Sequence, residues 1–282
     1  MFTNPRFARP LALLRSAMRP PSGLRRITLA LFIGIFCHLI FAIGVLTMIT
    51  AMFFGMSESL GTVPWPWAIM VNGLLILQFP LAHSWLLTGQ GGKLLACILP
   101  GEYGSTLSTT TYAIVASIQL LLLFAFWTPS GIILWQAEGE TFWFLCSAYA
   151  TSWLLLAIAS FDAGVEVQSG ALGWLSMLAN KKPVFPDMPT LGLFNFIRHP
   201  IYAAFVLTLW TVPTWTPDQL CLAISLTLYC ILAPILKERR FVRRYGKRFE
   251  SYCNEVPYMI PARKRRRSGS TVNKQSRAAY HD

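Results

Sequence analysis

Charge is what this chain has least of. Only 13% of its 282 residues are Asp, Glu, Lys or Arg, against 54% hydrophobic, and that balance excludes an ordinary soluble enzyme of this size. Acids are scarcer still, 12 against 24 Lys and Arg. The cysteines, Cys37, Cys97, Cys146, Cys221, Cys230 and Cys253, show no CxxC or other close spacing, so neither a disulfide framework nor a metal site is expected. There is no internal repeat, no low-complexity segment before the tail, and no small-residue cleavage site where the first 26 residues run into an apolar stretch.

What is present is a set of apolar runs without a strict helical or strand period, the pattern of helices that are apolar all round. Four are near the roughly 20 residues that cross a bilayer: Ile27 to Phe54, Trp67 to Leu87, Tyr112 to Trp135 and Phe142 to Phe161. Two shorter runs follow, Ile201 to Val212 and Leu220 to Leu236. The first of these is bounded by Pro200 and Pro213 and is too short to span alone. The pair is therefore expected to act together, as a helical hairpin turning at Pro213 to Pro217.

With these six runs laid across a membrane, every Lys and Arg falls on one side. Six precede Ile27, Lys93 lies between runs two and three, Lys181, Lys182 and Arg198 lie between runs four and five, and fourteen follow Leu236. The other side carries only Glu58, Glu138, Glu140 and Asp218. The positive-inside rule then places both termini in the cytoplasm, as in a multi-pass protein of a bacterial inner membrane. The net charge of +12 is this topology signal plus attraction to anionic lipid, so membrane lipid is an expected partner and nucleic acid is not. The expected fold is all-α, a polytopic membrane protein with about six membrane segments and a cytoplasmic carboxyl-terminal cofactor segment. Residues 1–26 read as a basic leader, 27–261 as the membrane-embedded domain and 262–282 as a basic, flexible tail.

Polar chemistry collects in one place. Arg198 and His199 precede Pro200, a residue suited to the first turn of a helix, so a helix amino terminus with free N–H groups lies beside two basic side chains, an anion site. One apolar hairpin later the chain returns with Glu238, then Tyr245-Gly246, Phe249 and Tyr252. Ionisable groups at a membrane boundary are costly and mark function. A ligand with a carboxylate, an ammonium group and an aromatic ring finds a partner for each, and S-adenosylmethionine is such a ligand. His83 and Ser84, near the end of the second run, fit either a catalytic role or a bond to a neighbouring helix. Asp162 reads as a helix end facing water, and the tyrosines also suit an aromatic belt.

The block Arg198-His-Pro-Ile-Tyr202, with Glu238, Tyr245-Gly246, Phe249, Tyr252, Val256-Pro257 and Ile260-Pro261, resembles the carboxyl-terminal signature of the isoprenylcysteine carboxyl methyltransferase and phospholipid methyltransferase superfamily. Gln78 to Ser84, Trp127-Thr-Pro129, Trp135, Asp162, Gln168 and Trp210 to Thr216 are similar to its methanethiol S-methyltransferase-like branch. The resemblance implies S-adenosylmethionine bound by Arg198, His199, Tyr202 and Glu238, with Tyr245 and Tyr252 shaping the pocket. It implies a small or lipophilic thiol as methyl acceptor, with His199 or His83 as candidate base. Three positions depart from the pattern: Ala204 replaces the usual Gly, Lys237 the first of an acidic pair, and Phe249 a usual Tyr. Competing readings are an isoprenylcysteine carboxyl methyltransferase, an NADPH-dependent sterol-type reductase, whose closing Tyr-Cys-x-x-Val-Pro-Tyr resembles Tyr252 to Tyr258, and a non-enzymatic membrane accessory protein of nitrogen-oxide metabolism.

Overall fold

The computed structural model describes residues 5–99 and 101–261; the proposed tail, with Arg263 to Arg267, lies outside the described residues. The chain is helical nearly throughout: α1 (Pro5–Ala17), α2 (Leu24–Phe53), α3 (Trp67–Leu86), α4 (Gly89–Ile98), α5 (Gly104–Ala125), α6 (Gly139–Asp162), α7 (Val165–Gln168), α8 (Ala171–Leu178), α9 (Pro200–Trp210), α10 (Pro217–Tyr245) and α11 (Lys247–Glu255). Five helices, α2, α3, α5, α6 and α10, are long and apolar enough to cross a membrane. The protein is therefore an all-α polytopic membrane protein. With 11 residues, α9 is about 16 Å long and covers only half of a hydrocarbon core. It pairs with α10, as the two bounding prolines require.

The third apolar run is displaced from its expected position. The helix is Gly104–Ala125 rather than 112–135, because two signals outweigh hydropathy. Pro129, and Gly131 at φ 73°, end the helix and turn the apolar stretch 126–137 into a loop. At the other end the Ser/Thr run 105–111 is helical with Thr110 and Thr111 bonded, while Thr109 Oγ1 is buried without a partner. Thr111 Oγ1 donates to Leu107 O at 3.1 Å, and Thr110 Oγ1 donates to Gly170 O at 2.6 Å while accepting from Trp174 N at 3.0 Å. The polar run is thus a docking face for α8. Gly44 on α2 meets the carbonyl of Ser117 on α5, where an added Cβ would lie 2.9 Å from that oxygen; a small residue lets the two backbones approach closely.

The two ends of the bundle differ in chemistry. At one, the loops after α2, α5 and α9 tie together. Leu60 N donates to Ala125 O, Gly61 N to Trp127 O, and Thr216 Oγ1 to Gly55 O. Trp135–Gln136 and Thr214–Trp215 (β1 and β2) pair antiparallel, Trp135 opposite Trp215. Asp218 fastens this end: its Oδ1 accepts from Trp127 Nε1 at 3.0 Å, and its Oδ2 from the N and Oγ of Ser130 at 2.9 and 2.5 Å. The larger buried cluster, with Met52, Phe124, Leu209, Val212 and Leu222, lies beneath.

At the opposite end the cations hold the chain. Buried Arg26 donates to the carbonyls of Met177, Leu178 and Pro21, closing the carboxyl end of α8. Arg9 Nη2 donates to Val184 O. A second cluster including Ala17, Ala30, Leu107 and Met177 packs here, so the segment read as a leader contributes α1 and part of a core. Since β1 and β2 join the α9–α10 turn to the loop before α6, both belong to the non-basic end. Alkaline phosphatase fused after Glu58 or Glu138 should be active, and fused after Lys93 or Lys182 inactive; the reverse pattern would invert the protein in the membrane.

Candidate functional site

The Arg-His pair and Glu238 meet at the basic end. Pro200 opens α9 at its first turn, so His199 is the residue before the helix. A 3-10 turn, Gly192–Asn195, leads into it, and Leu193 N in that turn donates to Asp162 Oδ2 at 2.8 Å. Asp162, expected to face water at a helix end, instead positions the turn before Arg198. Arg198 is fixed from below as well: its backbone N–H donates to Pro257 O at 2.9 Å and its Nη1 to Cys253 O at 3.1 Å. The closing Val-Pro segment is therefore a strap beneath the guanidinium.

Glu238 reaches this pair from α10. Its Oε1 lies 2.8 Å from His199 Nε2 and 3.0 Å from Arg198 Nε, while Oε2 has no protein partner among the described residues. His199 is 3% exposed, and its pKa is lowered to about 3 by burial first and by Lys237 and Arg198 after it. The ring is neutral at pH 7. Since a carboxylate only accepts, Nε2 carries the proton and Nδ1 is a bare acceptor, buried without a partner.

Aromatic rings surround the three. Tyr258 lies edge-on to His199, centroids 4.7 Å apart, with the Arg198 guanidinium 5.5 Å from its own ring. Tyr202 stands 6.0 Å from His199. Tyr252 Oη donates to Phe194 O at 2.5 Å, and its ring packs on buried Phe249, which packs on Phe241. Lys237 Nζ sits 5.4 to 5.9 Å from the rings of Phe194, Tyr202 and Phe241, a cation held by π faces. Tyr245 is set apart from this group, packing on Phe241 and under the Arg244 guanidinium. Tyr252 is thereby tied to the 3-10 turn that leads into Arg198.

His83 lies elsewhere, on the wall that α3 and α5 form. Its Nε2 is 2.7 Å from Tyr112 Oη, and its neighbour Ser84 bonds Tyr229 Oη at 3.4 Å. Between this wall and α9–α10 is a cavity of about 220 Å³. Ser84, Tyr202 and Tyr229 line it with Leu87, Ala233 and Leu236, and Arg239, Arg240 and Arg243 stand at its mouth. Arg240 Nη1 also donates to Leu87 O at the end of α3. The cavity shares Tyr202 with the Arg198–Glu238 group. Tyr112, Tyr229 and Arg240 carried no sequence signal, since each is a common residue type for its helix. Only the i, i+1, i+4 spacing of Arg239, Arg240 and Arg243, one stripe of α10, could have pointed to them.

The arrangement fits a zwitterion. Arg198 offers further guanidinium donors to a carboxylate, Glu238 Oε2 is open to an ammonium group, and the Tyr258 and Tyr202 rings suit a cation or an aromatic base. Because His199 is held neutral, acidification opposes the fold: the unfolded imidazole takes a proton near pH 6.5 and the folded one near pH 3. The stability supplied by the neutral ring is complete above pH 6.5 and is lost as pH falls toward 3. Thermal unfolding in nanodiscs should therefore weaken by up to about 1.4 kcal/mol per pH unit between pH 6 and 5, and His199→Asn should flatten that slope; an equal slope in both proteins contradicts the assignment.

No family model and no solved structure matches the chain. Among curated proteins it is 28% identical over 206 residues to the methanethiol S-methyltransferase of Pseudomonas deceptionensis, covering 71% of this chain and 76% of that one. It is 26% identical over 250 residues to the protein of the same name from Crocosphaera subtropica, covering 83% and 92%. It is also 31% identical over 181 residues to nurim of Rattus norvegicus, covering 60% and 67%.

Proposed function

We propose, from the premise that the chain belongs to the isoprenylcysteine carboxyl methyltransferase and phospholipid methyltransferase superfamily, in the branch of the methanethiol S-methyltransferases and nurim, that it transfers a methyl group from S-adenosylmethionine to a small or lipophilic thiol. The observation that carries this is the convergence of Arg198, His199 and Glu238, with one carboxylate oxygen and one imidazole nitrogen still open. Arg198 holds the ligand carboxylate, and Glu238 Oε2 receives its ammonium group. His199 orients Glu238 through Nε2–H.

S-adenosylmethionine supplies a methyl group on a cationic sulfur. Its reaction with a thiolate consumes both charges, so a dry, low-dielectric cavity favours transfer. An imidazole whose pKa is near 3 is a poor acceptor for a thiol proton, several pKa units above it. The main contribution of the chain is accordingly alignment of donor and acceptor, with the cavity behind Tyr202 receiving the thiol. His83, bonded to Tyr112 and beside Ser84, is the other candidate base, and it is no better placed, since its Nδ1 is likewise buried without a partner. With cations gathered at this end, the site faces the cytoplasm and both termini lie there, in a bacterial inner membrane.

Binding tests the reading against its rivals. Calorimetry on the protein in nanodiscs should show saturable binding of S-adenosylmethionine and none of NADPH. The converse result would establish a reductase-type site. Saturable binding with no transfer to any thiol would favour the non-enzymatic accessory role.

A further inference from the structure

The cavity between α3 and α10 is unusual in its charge. Its inner walls are apolar or hydroxylic, from Leu87, Ala233, Leu236, Ser84, Tyr202 and Tyr229, yet three guanidiniums border it. Among the described residues no carboxylate lies within 4 Å of Arg239, Arg240 or Arg243. Arg240 uses one nitrogen on Leu87 O, leaving the rest of its fork unspent. Across Tyr202 the neighbouring group adds Arg198 and Lys237 against the single charge of Glu238. A cationic sulfonium donor would meet an excess of like charge here unless a second ligand brought an anion. A volume of 220 Å³ is also several times what a one-carbon thiol fills.

We infer that the cavity is the acceptor subsite and that it selects a thiol carrying an acidic group, its anion held at the mouth by Arg239, Arg240 and Arg243 and its sulfur directed past Tyr202 toward the Arg198–Glu238 group. This deepens the methyltransferase reading and rests on it. Deprotonation gives the thiolate, whose sulfur forms a bond to the methyl carbon as the carbon–sulfonium bond breaks. The electron pair of that bond goes to the donor sulfur, and the thiol proton leaves to solvent or a nearby base. The products are a methyl thioether bearing the acid and S-adenosylhomocysteine. Guanidinium forks suit carboxylate and phosphate alike. A bilayer lipid headgroup is the other source of that anion, but a cavity walled by tyrosine hydroxyls and sharing Tyr202 with the Arg198–Glu238 group leads inward to that group rather than along the membrane.

The experiment uses the full chain in nanodiscs of neutral lipid, with mercaptopropionate and its neutral amide, mercaptopropionamide, as paired acceptors and methyl-labelled S-adenosylmethionine. The acid should be the better acceptor by roughly tenfold or more in kcat/KM. In Arg239→Gln/Arg243→Gln, checked for folding by its thermal unfolding, the ratio should fall toward one. Equal rates for the two thiols in the wild type overturn the inference and leave the methyltransferase reading intact. If only methanethiol, run alongside, is methylated, the inference is overturned and the methyltransferase reading stands; if none of the three thiols is methylated, that reading fails, and the cavity is judged by equilibrium dialysis of labelled methylthiopropionate: saturable binding lost in the double variant supports an acid-thioether site, and binding absent or unchanged overturns it. Anionic lipid that copurifies with the wild type but not the variant, without discrimination between the thiols, assigns the arginines to a headgroup and also overturns it.

Discussion

Glu238→Gln is expected to lower S-adenosylmethionine affinity at least tenfold while the protein stays folded. The substitution keeps the shape of a side chain that accepts from His199 at 2.8 Å and pairs with Arg198 at 3.0 Å. It removes the only negative charge among Arg198, Lys237 and Glu238. One charge-assisted hydrogen bond to the ligand ammonium is worth about 1.5 to 3 kcal/mol, a factor of ten or more in Kd. Arg198→Ala should cost as much through the carboxylate, and since both groups serve one ligand, the double variant should lose less than the sum. Isothermal titration in nanodiscs reads all three. Unchanged affinity in either folded single variant would remove the site from this part of the chain.

Asp218→Ala is expected to be the most damaging substitution away from the site. Trp127 Nε1, the Ser130 amide and the Ser130 hydroxyl all donate to this one carboxylate, and it also sits in the first turn of α10, where a negative charge meets the helix dipole. Its loss leaves a buried indole and a half-buried amide without acceptors, together worth about 3 kcal/mol. Proteolysis of the loop before α6, measured against wild type in nanodiscs, should accelerate strongly, whereas Glu140→Ala, exposed at the same end, should change nothing. Equal protection of both variants would mean that the loop is held by β1–β2 pairing alone.

Much of the membrane frame and part of the site were legible because the signals are local. Apolar length marks a span, Pro200 marks a helix start, and cation placement marks a side. The tie between Arg198 and Glu238 could be anticipated because a hairpin bounded by Pro200, Pro213 and Pro217 returns the chain to the end it left. Asp218 was visible only as an acid on the non-basic side; that its oxygens meet Trp127 and Ser130, some 90 positions earlier, depends on a loop that hydropathy read as helix. The Ser/Thr stretch opening α5 failed for the same reason in reverse, since Thr110 is satisfied by Gly170, 60 positions on, a contact that no local period encodes. The cavity beside Tyr202 needs three helices to exist at all. Motif spacing places Tyr245 near the Arg198–Glu238 group, and the contact it makes, on Phe241, is one that only the turn of α10 supplies.

The most direct test of thiol methylation follows the methyl group to its atom. Nanodiscs holding the protein are given methyl-labelled S-adenosylmethionine with methanethiol, mercaptopropionamide and mercaptopropionate in turn, and the products are identified by mass spectrometry before and after mild alkali. The account predicts label on sulfur, as an alkali-stable thioether formed in equal amount with S-adenosylhomocysteine and lost in Glu238→Gln. Label recovered as an alkali-labile methyl ester of the carboxylate would contradict it and assign carboxyl methylation instead.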